Sequence, residues 1–515
     1  MNSRNLLVRL LLIGSLMVML FVSVPLAAAD NGTDSSALRE AVTLAGVRAH
    51  QAALQAIADA NGGSRVAGFP GHDLSAQYVF DQLTAAGYSP VYQEFMYTFF
   101  NELETPILEQ TAPNPTVYPP NDVAGFATME YSGNGDVTAL VQATNDIVIP
   151  PAPVANTSNS GCEAADFAGF VAGSIALVQR GTCTFYDKAL NAQNAGAVGV
   201  IIFNEGQPGR TDAFAGTLGA ADFTIPVVGA AFAVGEELYN LSQQPGGVTV
   251  HMFTHVETTD LPTVNVLADT AGGRADRLVV VGAHLDSVPA GPGINDNGSG
   301  SAAILEVAIQ MAELGIEPRN KVRFAWWSAE ESGLLGSAYY VSQLSNQDVK
   351  KHAANLNFDM IGSPNYVSFI YDGDGSGTGT AGPNGSDVVE AVFLDYFASQ
   401  GLPNEPTAFD GRSDYGPFID VGIPAGGLFT GAEGIKTQAQ ADVFGGTAGL
   451  AYDPCYHQAC DTYANNSDTA LDLMSDATAH ATLTFAMTTS SVNGTDKGKG
   501  HGQSDFDYSG SSLKK

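Results

Sequence analysis

278-LVVVGAHLDSVPAGPGINDNGSGSAAILEVAIQMAELGIEPRNKVRFAWWSAEE-331 holds the pattern on which the fold turns. Its apolar start, 278-LVVVGAHLDS-287, reads as a strand. Apolar residues at helical spacing follow over 299–315, and a second apolar run, 321-KVRFAWW-327, closes the unit. Further strands at 263-TVNVLAD-269 and 353-AANLNFDM-360, and a helix at 333-GLLGSAYYVSQL-344, extend the alternation. Strands alternating with helices predict an α/β fold, a mostly parallel mixed sheet sandwiched by helices.

In such a sheet, ligands gather at the carboxyl ends of the strands, so the residues just past each apolar run carry the information. His284 and Asp286 follow 278–283. Asn295, Asp296 and Asn297 open the helix after the loop 288-VPAGPG-293. Glu330 and Glu331 follow 321–327, Asp359 ends the run at 353, and His457 stands far downstream in 453-DPCYHQACD-461. Each alone has a bland reading, a solvated turn or a buried histidine. Three strand ends offering metal-type donors together do not. Imidazole and carboxylate donors without a thiolate point to Zn²⁺, ahead of Mn²⁺ or Co²⁺. His284, Asp296, Glu331, Asp359 and His457 are too many for one tetrahedral ion that keeps a water. They suit two zincs sharing one carboxylate. One of the adjacent glutamates is then left over, and a free carboxylate beside an activated water is placed as a general base.

The set GAHLDS, NDNGSGSAAILE, WWSAEESGLLGS, LNFDMIG and DPCYHQACD resembles the co-catalytic di-zinc aminopeptidases, the aminopeptidase Y and secreted bacterial leucyl aminopeptidase group, over about residues 38–110 and 258–490. The resemblance implies the zinc-exopeptidase (phosphorylase/hydrolase-like) form of the α/β fold and two Zn²⁺ per chain. Asp296 would bridge them, with His284 and Asp359 on one zinc and Glu331 and His457 on the other. Glu330 would be the base, Asp286 would hold the His284 imidazole, and Tyr456 would donate to the developing oxyanion. Arg412, in 411-GRSDYGPF-418, would lie near the substrate backbone. The implied reaction is removal of N-terminal residues, hydrophobic ones such as leucine, from peptides by a water activated between two zincs. Alternatives are a related metal-dependent carboxypeptidase or dipeptidase, and a binding module whose inserted domain is the main functional part. Calcium binding stays open.

The remainder of the chain sets the context. Of its 515 residues, 1–29 read as a signal peptide: Arg4 and Arg9, then 10-LLLIGSLMVMLFVSV-24, then an A-x-A site at Ala27 and Ala29. A secreted, extracellular or periplasmic monomer that leaves the membrane after cleavage is expected. The net charge of −33 excludes a nucleic-acid partner, which needs a basic footprint. Peptides with a free N-terminus are the expected partners. Four cysteines allow three pairings; Cys162 with Cys183 and Cys455 with Cys460 would each close a local loop. Helical spacing without breakers runs over 36–60, a second helix over 73–87, and a strand-like run over 91–100, before a Pro- and Asn-rich texture from about 105 to 130. The stretches GSIALVQRGTCTFYDKALNAQNAGAVGVIIFN and IPVVGA resemble the protease-associated domain of secreted peptidases, which implies a modulatory or binding role. The expected organisation is an N-terminal part of the peptidase domain over 30–125, a β-rich insertion over 126–257, the catalytic part over 258–490 and a disordered polar tail over 491–515.

Overall fold

The computed structural model describes residues 32–488 and Val492; the leader read at 1–29 and, apart from Val492, the tail read at 491–515 lie outside the described residues. Four strands, Ala425–Phe429, His352–Phe358, Arg274–His284 and Asn320–Trp327, lie side by side in that order, all parallel. Their near-continuous apolar runs follow from burial on both faces. Val279, Val281, Val322, Phe324 and Trp326 face the helices Leu44–Ala60, Gly298–Glu313 and Asp468–Met487, while Val280, Ala325 and Trp327 face Tyr340, Phe418 and Ile423 on the other side. The two adjacent tryptophans therefore point in opposite directions, and both are fully buried. Phe369–Tyr371, antiparallel to Ala425–Phe429, and Glu405–Thr407 complete one edge. The sheet is mixed, as expected.

The other edge departs from the sequence reading. The strand read at 91–100 runs on as Val91–Ala112, and the strand read at 263–269 is the last third of Thr249–Asp269. The two pair antiparallel from Val91↔Leu267 to Ala112↔Thr249, with register shifts between Glu102 and Ile107. The Pro- and Asn-rich texture that suggested a boundary from 105 is thus strand as far as Ala112, because a partner strand remote in sequence fixes it. This ribbon leads into a second layered unit. Gly135–Ala143 pairs with the 249–254 end, followed by parallel Ile175–Gln179, Gly199–Phe203 and Val227–Ala230. The helices Phe185–Asn194 and Phe232–Ser242 pack on separate apolar clusters of this unit. Cys162 is bonded to Cys183 and Cys455 to Cys460.

The helix read over 36–60 is two helices, Ser36–Ala41 and Leu44–Ala60. Val42 turns extended, and the Thr43 hydroxyl accepts from Gly46 N, which starts the second helix with an N-cap that periodicity does not register. The helix read at 73–87 begins earlier, at Pro70, and ends at Ala85 with Gly87 left-handed at φ 93°. The helix read at 333–344 is shorter, Leu335–Ser342, because 331–334 form a tight turn.

Candidate metal centre

Every residue singled out beyond the strand ends converges on the carboxyl edge of the parallel strands. His284 is the last residue of its strand, Glu330 and Glu331 come three and four residues past Trp327, and Asp359 directly follows Phe358. Two glycines let the backbones close up there. A Cβ on Gly300 would stand 2.1 Å from the Phe358 carbonyl oxygen, and one on Gly336 would stand 2.3 Å from the Ser328 carbonyl oxygen. Three non-glycine residues beside the donors are left-handed, Ala329 at φ 54°, Met360 at 51° and His457 at 56°. Such conformations are each disfavoured by roughly 1–3 kcal/mol and persist where surrounding contacts impose them.

Asp296 sits at the centre. Its Oδ1 lies 3.1 Å from His284 Nε2, and its Oδ2 lies 3.2 Å from His457 Nε2. Asp359 Oδ1 is 3.4 Å from His284 Nε2, and Glu331 Oε2 is 3.0 Å from His457 Nε2. Two lobes result, joined by one carboxylate. Glu330 Oε2 stands farther off, 3.8 Å from His284 Nε2. His284, Asp296 and Asp359 are buried, whereas the His457 side chain is 39% exposed, so one lobe opens to the cleft.

These distances suit a metal. Two donors about 2.05 Å from one tetrahedral zinc are themselves roughly 3.3 Å apart, and the four close contacts span 3.0–3.4 Å. One donor atom from each of His284, Asp296 and Glu331, and likewise from His284, Glu330 and Asp359, falls within 4.8 Å of the others in its group. Glu331 Oε1 and Asp359 Oδ1 are buried without a hydrogen-bond partner, although buried carboxylate oxygens are ordinarily paired. The residues present fit the group that the donor set predicts.

Electrostatics point the same way. Burial, together with Asp359, Asp414 and Glu331, holds the Glu330 carboxyl well above the usual range, with only His284 opposing. Burial and Asp296 raise Glu331. Burial opposes protonation of His457, but Glu331 and Asp296 raise it to about 10. The cluster is a surplus of negative charge with two imidazoles inside it, a setting that dications relieve.

Of the residues that hold this arrangement, sequence reading gave no role to Arg65, Asp461 and Ser413, and named Asn297 only as part of a helix start. Asn297 caps the helix Gly298–Glu313, accepts from Met360 N at 3.2 Å and donates to the Phe358 carbonyl at 2.9 Å, fixing the turn that carries Asp359. Asp461 accepts from Asn295 N and Asp296 N at 2.8 and 2.9 Å, and burial lifts its carboxyl to about 7. Arg65, fully buried, donates to the carbonyls of Leu285, Pro292 and Gly293 and so pins the loop between His284 and Asp296. Ser413 donates to Asp359 Oδ2. The Asp286 carboxylate lies 3.5 Å from His284 Nδ1, and its shorter contacts are with Glu330 N at 3.2 Å and Glu331 N at 3.3 Å. Its hydrogen bonds thus go to the two glutamates, while His284 Nδ1 has no hydrogen-bond partner. Arg412 and Tyr456 line the cleft together with the apolar Met360, Tyr371, Ala408, Phe429 and Ala432. Arg412 donates to Glu433 at 2.7 Å and to the Tyr456 hydroxyl oxygen at 3.2 Å, and the Tyr456 ring stacks on His457 with centroids 3.8 Å apart.

Comparison with known proteins agrees with this layout. Residues 265–482 match the model of peptidase family M28, and residues 144–238 match the PA domain. An aminopeptidase of Pseudomonas aeruginosa is 48% identical over 445 residues, 85% of this chain and 80% of that protein. The leucine aminopeptidase 2 of Arthroderma otae is 41% identical over 424 residues, 82% of this chain and 80% of that one. Among solved structures, the aminopeptidase from Aneurinibacillus sp. strain AM-1 superposes with a TM-score of 0.66 at 26% identity, over 87% of this chain and 95% of that one. By these relatives and by its own fold, the chain belongs to peptidase family M28 and carries a PA domain beside the peptidase sheet.

Proposed function

We propose that the two-lobed cluster around Asp296 is the catalytic centre of this M28 aminopeptidase and that it holds two zinc ions. His284 and Asp359 would hold one, His457 and Glu331 the other, and Asp296 both. The observation that carries this reading is the split of Asp296, one oxygen toward each histidine. When bound, the metals supply Lewis acidity to a water and to the scissile carbonyl. The chain's own residues do the rest. Glu330, close to His284 but outside the four short contacts, takes the water proton and returns it to the departing amine. The Tyr456 oxygen accepts from Arg412, which leaves its own proton free to donate to the substrate carbonyl oxygen as negative charge develops there. Asp286, bonded to both backbone N–H groups, keeps Glu330 and Glu331 apart in direction.

The carboxylates of Glu330 and Asp359 form a negative wall for a free α-amine, which makes the enzyme an exopeptidase acting on peptide N-termini. The apolar wall of Met360, Tyr371 and Phe429 favours a hydrophobic first side chain such as leucine. We read residues 30–125 and 258–490 as one peptidase unit with 126–257 inserted. The supporting observation is that Leu38, Leu54 and Leu83 share a core with Val279, Val322 and Phe485, although Leu108 and Tyr118 already pack in the core of the insert. Among the described residues no helix is long and apolar enough to cross a membrane. With the leader read at 1–29 and two disulfides, we take the working form to be a secreted monomer.

The experiment is metal removal by chelation, then zinc re-addition, assayed on a panel of aminoacyl-nitroanilides. Activity should vanish and return, with leucine among the best substrates. Loss without recovery, or no turnover of any aminoacyl substrate, overturns the reading.

A further inference from the structure

A second group of oxygen donors lies behind the cleft wall. The run 372-DGDGSG-377 places Asp, Asp, Ser and Gly at first, third, fifth and sixth positions, the pattern of the first half of calcium-binding loops. The loop departs from the complete pattern, since position 383, twelfth in order, is proline. The third carboxylate comes instead from Glu390 on the helix Ser386–Gln400. One oxygen each from Asp372, Asp374 and Glu390 falls within 4.8 Å of the others. Asp372 and Glu390 are buried, at 0% and 8% exposure.

Acidic clusters are common, and this one is set apart by an unsatisfied atom. Asp372 Oδ2 accepts from Gly377 N at 3.0 Å, Thr378 N at 2.6 Å and Thr378 Oγ1 at 2.6 Å. Its Oδ1 is buried with no hydrogen-bond partner. Among the described residues no Lys, Arg or His forms an ion pair with any of the three carboxylates. Glu390 Oε2 accepts from Gly373 N at 2.9 Å and Asp374 N at 3.2 Å, yet burial, with the neighbouring aspartates, still pushes its carboxyl up to about 7. A buried, unpaired carboxylate oxygen on a residue that shares a 4.8 Å cluster with two more carboxylates is destabilising unless something positive is bound.

We propose that Asp372, Asp374 and Glu390 bind a Ca²⁺ ion. Hard carboxylate oxygens on a glycine-rich loop suit the irregular shell of calcium better than the strict octahedron of magnesium. The position gives the ion a task. Tyr371, next to Asp372, lines the catalytic cleft, as does Thr407, whose carbonyl accepts from Asp372 N at 2.9 Å. The ion would therefore tie the loop after Phe369–Tyr371 to the helix Ser386–Gln400 behind Tyr371 and Thr407, two residues of the cleft lining.

The test is calorimetric titration of CaCl₂ into the zinc-loaded full-length chain, with thermal unfolding alongside. Saturable uptake of one Ca²⁺ per chain is expected, with Kd between about 10⁻⁵ and 10⁻³ M, and a rise in Tm of about 2–5 °C at saturation. Glu390→Gln and Asp374→Asn should each weaken uptake at least about tenfold and abolish the Tm rise; Asp374 is exposed, so that variant keeps its fold. Magnesium should not compete at equal concentration. No saturable uptake by the parent chain, or unchanged affinity in either variant, overturns the proposal. The readout is independent of peptidase activity, so it does not stand or fall with the zinc centre.

Discussion

Two adjacent glutamates, Glu330 and Glu331, repel each other in an ordinary turn; here the backbone separates them. Ala329 is left-handed, and the Asp286 carboxylate receives both glutamate N–H groups. The side chains then diverge, Glu331 toward His457 and Glu330 toward His284. The oxyanion role proposed for Tyr456 is open to an equally direct test. Tyr456→Phe should lower kcat about 10²–10³-fold with zinc content unchanged and KM within a few-fold, the loss typical of one oxyanion donor. Steady-state kinetics on an aminoacyl-nitroanilide checks it; an unchanged kcat removes Tyr456 from the reaction. His72 offers a test at the same scale, away from the donors. It is fully buried, neither ring nitrogen has a hydrogen-bond partner, and burial lowers its pKa to about 4. The folded pKa lies below the unfolded value near 6.5, so between these pH values the unfolded chain binds the extra proton. Stability is thus lost as pH falls from about 6.5 to 4, by about 3 kcal/mol from this group. Denaturant midpoints of His72→Leu against the parent should differ in pH dependence over that window, the variant lacking this loss. Parallel pH profiles contradict it.

Among elements, the helix Gly298–Glu313 does the positioning. Its N-cap Asn297 follows Asp296 and grips the 358–360 turn, so one helix start sets two donor segments. Gly300 lets it approach. Gly300→Ala should destabilise the chain by roughly 1–3 kcal/mol and weaken zinc binding, measured by unfolding and metal titration; wild-type values for both would show that the close contact is dispensable. His284, Glu330, Glu331 and Asp359 were readable from sequence because each ends or closely follows a strongly apolar strand, whereas Asp296 and His457 stood out through the helix start after 288–293 and the run 453–461. The bonds made by Arg65, Asn297 and Asp461 were not. Each of the three is a polar residue in a loop, and its partners are carbonyls or amides far away in sequence, supplied only by the fold. The break at Thr43 and the extension of strand 91–112 escaped for similar reasons. A local cap overrides helical period in the first, and pairing with 249–269 overrides a Pro- and Asn-rich composition in the second.

At the scale of the whole molecule, the long ribbon Val91–Ala112 with Thr249–Asp269 joins two cores and brings the second unit to the turn that follows Glu331. A Cβ on Gly333, two residues past Glu331, would lie 3.8 Å from Thr217 of that unit. The peptidase sheet in turn draws donors from positions 284 to 457 into one cluster. The central claim is that this cluster holds two zincs, with Glu331 a ligand and Glu330 the base. Zinc per chain, measured together with turnover in Glu330→Gln and Glu331→Gln, tests it most directly. The account predicts two zincs in the parent and in Glu330→Gln, with turnover of the latter down by about 10²–10⁴-fold, and at most one tightly held zinc in Glu331→Gln. A Glu330→Gln variant that keeps most of its activity, or that loses zinc while Glu331→Gln retains both ions, would contradict it.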